Sequence, residues 1–112
     1  MTEATPFELE VFETRDGKSP FTDWLRALRD RRAVARIRAR LARIRLGNFG
    51  DVEPVVGAVH ELKIDHGPGY RVYFGRSGDR VVLLLCGGTK KTQQRDIDRA
   101  KQYWDDYRSR MT

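Results

Sequence analysis

Two strand-like segments and one strand-to-helix junction carry the residues of this chain best suited to chemistry. Lys63 lies in His60-Glu61-Leu62-Lys63-Ile64-Asp65, and Arg71 and Tyr73 lie in Tyr70-Arg71-Val72-Tyr73-Phe74. Side chains alternate across a strand, so Glu61, Lys63 and Asp65 share one face, while Leu62 and Ile64 share the other. Arg71 and Tyr73 share a face of the next strand. With the apolar side packed on helices, Lys63, Arg71 and Tyr73 are expected to face outward together. Gly87-Gly88-Thr89-Lys90-Lys91-Thr92 then opens a helix, a junction that offers backbone N–H groups and a positive helix end to an anion. Its glycine-to-lysine spacing is not that of a P-loop. Cations arranged in this way can hold a phosphodiester on a rigid surface. The competing reading of the same residues is a solvated sheet face with cross-strand ion pairs such as Glu61 with Arg71, followed by an ordinary loop and helix cap.

Other chemistries have less to work with. The two histidines, His60 and His66, are not at metal-ligand spacing on a helix, and Cys86 is the single cysteine. That excludes an internal disulfide and any multi-cysteine metal site, so neither a metal nor another cofactor is expected. Cys86 sits in an apolar run, where inert burial is the expectation. No nucleophile-elbow signature is present.

Charge points to a polyanion. The chain of 112 residues carries a formal net charge of +6. Between Arg26 and Arg45 there are nine arginines against one acid, Asp30, a local charge of +8. Arginine forks suit phosphate, so Arg29, Arg32, Arg36, Arg40 and Arg43 are candidate RNA-binding residues. A solvated helix face, or a face for an acidic partner, is the alternative. Length implies one domain, 1–112. No signal peptide and no long apolar run can be read, so a cytoplasmic protein without membrane attachment is expected.

The elements that must position these residues follow from periodicity. Residues 1–6 read as an unpaired start. Phe7–Phe12 alternates apolar and acidic residues and reads as a strand. Ser19-Pro20 starts a helix with Phe21, Trp24, Leu25 and Leu28 on one face. Asp30 caps a second helix with Val34, Ile37, Leu41 and Ile44 at helical spacing, stopped by Gly47. The short joint implies an antiparallel helical hairpin. Asn48–Gly57 reads as a loop, and Ala58–Ile64, Tyr70–Gly75 and Arg80–Cys86 as an antiparallel meander. Val81–Leu85 is apolar on both faces, so it should be central. Thr92 reads as the cap of a last helix with Ile97, Ala100, Trp104 and Tyr107 buried. The order is β-α-α-β-β-β-α, an α+β fold: a small antiparallel sheet against an N-terminal helical hairpin and a C-terminal helix.

Glu61-Leu62-Lys63, Gly69–Phe74, Val82–Leu85 and Gly88–Gln93, followed by Asp96-Ile97-Asp98-Arg99-Ala100, together resemble the HigB-like branch of the RelE/ParE toxins, the "addiction module killer proteins" of type II toxin–antitoxin systems. The resemblance runs from Phe7 to Tyr107. It implies a ribosome-dependent, metal-free mRNA endoribonuclease in which a ribose 2′-hydroxyl attacks the adjacent phosphate. Lys63 matches the strand lysine that serves as base or charge stabiliser, Arg71 the arginine that binds the scissile phosphate, and Lys91, with Lys90 beside it, the basic residue before the last helix. Where RelE-type nucleases have a second lysine, two residues before the first, this chain has Glu61, and where they have a tyrosine early in the last segment it has Ile97. Lys63, His60, His66 and Tyr73 are therefore all candidate bases, with Lys63 preferred. The implied partners are a HigA-type helix-turn-helix antitoxin, the ribosome with its mRNA, and operator DNA through the antitoxin complex. The alternatives are a ParE-like toxin that binds DNA gyrase and cuts nothing, or a non-enzymatic nucleic-acid- or antitoxin-binding module.

Overall fold

Each helix start and stop has a local cause. The computed structural model describes residues 6–111, so the expectation for residues 1–5 lies outside the described residues. Strand β1 (Glu8–Val11) leads to α1 (Pro20–Ala27), where Ser19 Oγ accepts from the Thr22 N–H and Pro20 fills the first turn. Helix α2 (Arg31–Arg45) starts at Asp30, whose Oδ1 accepts from the Arg32 and Ala33 N–H groups at 3.0 and 3.1 Å. It stops in a Schellman arrangement: Gly47, at φ +88°, donates to the Ile44 carbonyl, and Asn48 donates to Arg43.

The Asp30 cap carries a pH signature. The Ala33 N–H, and next the His66 ring at 3.0 Å, hold the Asp30 carboxyl below its ordinary range. A carboxyl lowered in the folded state contributes fully above its unfolded value of about 3.9, and that contribution fades as pH falls through the folded value. Asp30→Asn is therefore expected to lower stability near pH 7, where the carboxylate contributes fully, and to flatten the acid limb below about pH 4, where the wild type loses that contribution. Chemical denaturation across that range checks this.

The sheet has five strands in the order β1-β5-β4-β3-β2, with β2 (Val52–Val56), β3 (Val59–Ile64), β4 (Tyr70–Ser77) and β5 (Val81–Thr89). Two features differ from expectation. Part of the presumed loop Asn48–Gly57 is strand β2, paired antiparallel to β3 through a tight turn at Gly57, which has φ +53°. Pro54 disguised this strand in the sequence, yet an edge strand tolerates a proline. Secondly, β1 pairs parallel with β5, so the sheet is mixed; the chain returns through α1, α2 and the meander. The meander itself is antiparallel, and β5 is an inner strand between β1 and β4.

Both faces of the sheet are covered. Helices α1 and α2, joined by Leu28, Arg29 and Asp30, bury Phe21, Ala33, Ile37, Leu41 and Ile44 against Leu62, Ile64, Val72, Phe74, Val82 and Leu84. The last helix, α3 (Gln93–Met111), buries Ala100 and Trp104 against Val59, Tyr73, Leu83 and Leu85 on the other face. A single 3-10 turn, Lys90–Thr92, precedes α3, so Thr92 lies inside that turn and its Oγ1 accepts from the Thr89 N–H at 3.2 Å. The face expected to be solvated is thus roofed by α3, because Ile97, Ala100 and Trp104 need an apolar floor and Tyr73, Leu83 and Leu85 provide it. No helix among the described residues is long and apolar enough to cross a membrane.

Candidate functional site

The register of the meander lines up the chemistry. Lys63 lies opposite Arg71, and Arg71 opposite Gly88, in one row across β3, β4 and β5. The next row inward pairs Glu61 with Tyr73 and Tyr73 with Cys86. Helix α3 covers the inner row and leaves the outer row open at one end. The Lys90 N–H donates to the Gly69 carbonyl at 2.8 Å, which ties the 3-10 turn to the β3–β4 turn beside Arg71. Gly69 adopts φ +79°, which favours glycine, and a Cβ there would make only ordinary contacts, 3.5 Å from Lys90 Cβ and 3.6 Å from Arg71 Nη1.

The result is a cavity of about 260 Å³ lined by Asp51, Lys63, Ile64, Asp65, Gly69, Arg71 and Lys90. Three cations from β3, β4 and the 3-10 turn therefore meet at one opening. Lys63 Nζ is 3.2 Å from Glu53 Oε1 of edge strand β2. Arg71 is 11 % exposed, and its Nε lies 3.5 Å from Glu61 Oε1 without a hydrogen bond. Glu61 is itself 1 % exposed, and its Oε2 accepts from Tyr73 Oη at 2.9 Å and from Gln93 Nε2 at 2.8 Å.

The remaining candidate residues separate from this cluster. Tyr73 is fully buried, which corrects its expected outward orientation; α3 lies over it. It donates to Glu61, and burial first, then the Glu61 carboxylate, push its hydroxyl well above the ordinary tyrosine range. Lys91 is exposed and is not among the residues lining the cavity; its neighbour Lys90 is. His60 stacks on Phe74 with ring centroids 5.5 Å apart, next to the α1/α2 core. His66 is engaged by Asp30 and stacks on Tyr70. Gly87 and Gly88 form no anion-cradling loop, because β5 continues through them. They are glycines for clearance: a Cβ on Gly87 would stand 2.2 Å from the Trp24 ring, and one on Gly88 1.8 Å from Asp96 Oδ2. Asp96 is buried there and accepts from the Thr92 hydroxyl.

The arginine helix divides in the same way. Arg36, Arg40 and Arg43, with Ala39, Ile64 and Asp65, line a second concavity of about 280 Å³. Ile64 and Asp65 line both cavities, so the two adjoin at the end of β3. Arg40 is half-buried and structural in part: its Nη1 donates to the Lys63 carbonyl at 2.8 Å. Arg29 and Arg32 are exposed outside the lining of either cavity.

Sequence reasoning missed Asp51, Glu53 and Gln93. Asp51 and Glu53 were hidden by the unrecognised strand β2, and Gln93 by the absence of any signal for a contact across 32 residues. Asp65 was visible on the face of Lys63. Among the described residues, no group of three or more His, Cys, Asp and Glu comes together to hold a metal ion.

Residues 23–105 match the family model described as "Phage derived protein Gp49-like (DUF891)". A Haemophilus influenzae protein bearing the name "Uncharacterized protein" is 49% identical over 81 residues, covering 72% of this chain and 82% of that protein. The matched span holds every residue lining the two cavities. The chain therefore belongs to the Gp49-like family of phage-derived proteins.

Proposed function

We propose that this protein is the toxin of a type II toxin–antitoxin pair and that it cleaves mRNA on the ribosome. The observation that carries this reading is the meeting of Lys63, Arg71 and Lys90 around one opening that also holds two carboxylates, Asp51 and Asp65. In the proposed reaction a ribose 2′-oxygen attacks the adjacent phosphorus and the bond to the 5′-oxygen breaks. The products are a 2′,3′-cyclic phosphate and a 5′-hydroxyl end. The three cations bind the phosphate and stabilise the charge that grows on its oxygens. One carboxylate at the cavity wall, Asp51 or Asp65, takes the 2′-hydroxyl proton, and one ammonium, Lys63 or Lys90, gives a proton to the leaving 5′-oxygen. Tyr73 contributes from below, through Glu61.

Arg36, Arg40 and Arg43 extend the cationic track beyond the cavity, and Lys91 and the exposed Arg29 and Arg32 add charge at its margins. We assign this track to the RNA backbone. Arg36→Ala and Arg43→Ala are each expected to weaken RNA binding and to reduce the slope of log affinity against log salt by about 0.7–1, which a salt titration of a fluorescent RNA measures. A HigA-type helix-turn-helix antitoxin, binding operator DNA together with the toxin, is the partner this reading requires.

The test is incubation with translating ribosomes and a defined mRNA, with the 5′ ends of the fragments mapped. New 5′-hydroxyl ends within codons support the reading. Intact mRNA together with inhibited DNA gyrase would overturn it in favour of a gyrase-directed toxin.

A further inference from the structure

We propose that Glu61 is the positioning residue of the phosphate site: its buried carboxylate holds the Arg71 guanidinium so that the outer edge of that group faces the cavity. The proposal rests on Arg71 being a phosphate-binding group, as in the preceding section. It concerns Glu61 in the row Glu61–Tyr73–Cys86, one row inward from the cations Lys63 and Arg71.

Three observations carry it. Glu61 is 1 % exposed, and a carboxylate so deeply buried is strongly destabilising unless its oxygens are all satisfied. Its two oxygens are used differently. Oε2 takes two neutral donors, the Tyr73 hydroxyl at 2.9 Å and the Gln93 amide at 2.8 Å, which fix the carboxylate in place without neutralising it. Oε1 is left for Arg71, whose Nε lies 3.5 Å away. Replacing a whole buried ion pair by apolar side chains is often neutral or stabilising, so the Glu61–Arg71 pair serves orientation better than it serves stability.

The Arg71 Nε is buried and lacks a hydrogen-bond partner, so Glu61 attracts the guanidinium without locking it. Arg71 Nη1 lies beside the Gly69 turn, 3.6 Å from where a Cβ on Gly69 would stand, and Arg71 lines the cavity. An anion entering the cavity would engage that outer edge and press the inner edge onto Oε1, turning a charge contact into a hydrogen bond. The other buried carboxylate on this face, Asp96, does not compete for Arg71: it accepts from Thr92, and its Oδ1 lies 3.8 Å from Arg95 Nε.

The experiment uses the intact protein with arginine side chains labelled with ¹⁵N, the Arg71 Nε–H signal assigned through Arg71→Lys, and inorganic phosphate as the probe. In the wild type, phosphate is expected to shift the Arg71 Nε–H signal saturably and slow its exchange with solvent. In Glu61→Gln, the phosphate dissociation constant is expected to rise about 10- to 100-fold, by analogy with the outer-shell partners of metal ligands. On ribosomes, Glu61→Gln should lower kcat, and the loss should largely vanish in an Arg71→Lys background, since one residue acts through the other. A merely structural Glu61 predicts a lower melting temperature with the Nε–H signal and phosphate affinity unchanged, and that result overturns the proposal. Should Glu61→Gln fail to fold, Gln93→Ala takes its place: it removes one donor from Oε2, and an unchanged Arg71 signal and affinity there would equally overturn it. Phosphate binding that depends on Glu61, with mRNA left intact, keeps the positioning role and removes the nuclease reading. Undiminished cleavage by Glu61→Gln does the reverse.

Discussion

Arg71→Ala is expected to slow ribosome-dependent mRNA cleavage by about 10²–10³-fold, the loss typical when one preorganised donor to a developing oxyanion is removed. The magnitude follows from its place. Arg71 is the central residue of the row Lys63–Arg71–Gly88 and is 11 % exposed, so its charge acts where little water screens it. Lys63 and Lys90 stand at the rim and are more hydrated, so alanine at either should cost less. Lys91, outside the cavity lining, should cost least of the four. Single-turnover cleavage of one mRNA by the four alanine variants checks the ranking. A Lys91 effect as large as that of Arg71 would mean that the phosphate does not sit in this cavity. Because the change leaves Glu61 without its cation, the melting temperature must be followed in parallel. Tyr73 and Gln93 still donate to Glu61, so folding should survive with reduced stability.

Gly75→Ala is expected to destabilise the fold by about 2–3 kcal/mol, through overpacking where the roof of the site meets the sheet. A Cβ at Gly75 would stand 2.3 Å from two atoms of the Trp104 ring, which lies directly on the β4 backbone. Trp104 is 6 % exposed and stacks on Tyr107 with centroids 5.5 Å apart, so it has no open space to move into. Helix α3 must then lift away from β4, and its lifting would loosen Gln93 and the 3-10 turn that carries Lys90. A fall in melting temperature of about 10 °C is the expected readout for a domain of this size. Weakened phosphate binding in the variant at temperatures where it remains folded would show that the clash reaches the site. An unchanged melting temperature would mean that Trp104 does not rest on Gly75. Gly78 offers a contrast, since nothing lies within 4 Å of a Cβ there and any cost comes from its φ of +64°.

On the proposed toxin reading, an antitoxin must silence the cationic opening, and the charge distribution constrains how. The cationic track of Arg36, Arg40 and Arg43 adjoins the cavity through Ile64 and Asp65, so an acidic segment laid along that track would block both RNA binding and cleavage. Measuring RNA affinity of the Arg36 and Arg43 variants with and without the antitoxin would separate the two uses of this surface.

Helix boundaries were legible from sequence because their causes are local. Ser19 and Asp30 cap the helices they precede, Gly47 ends α2, and the apolar spacing of Phe21, Ile37, Ile44, Ala100 and Trp104 names the buried stripes. The two-sided apolar run of β5 identified an inner strand for the same reason. The cations too were visible, since alternation along a strand places Lys63 and Arg71 on definite faces. Three things needed the tertiary structure. Strand β2, and with it Asp51 and Glu53, becomes a strand only by pairing with β3, a choice that Pro54 conceals. Which face α3 covers decides that Tyr73 and Glu61 are buried while Lys63 and Arg71 stay at an opening; both faces carry enough apolar surface to accept a helix, so no local pattern selects one. The choice of Lys90 over Lys91 at the cavity depends on the hydrogen bond from Lys90 to Gly69, a contact between turns 21 positions apart, and periodicity within either turn cannot report it.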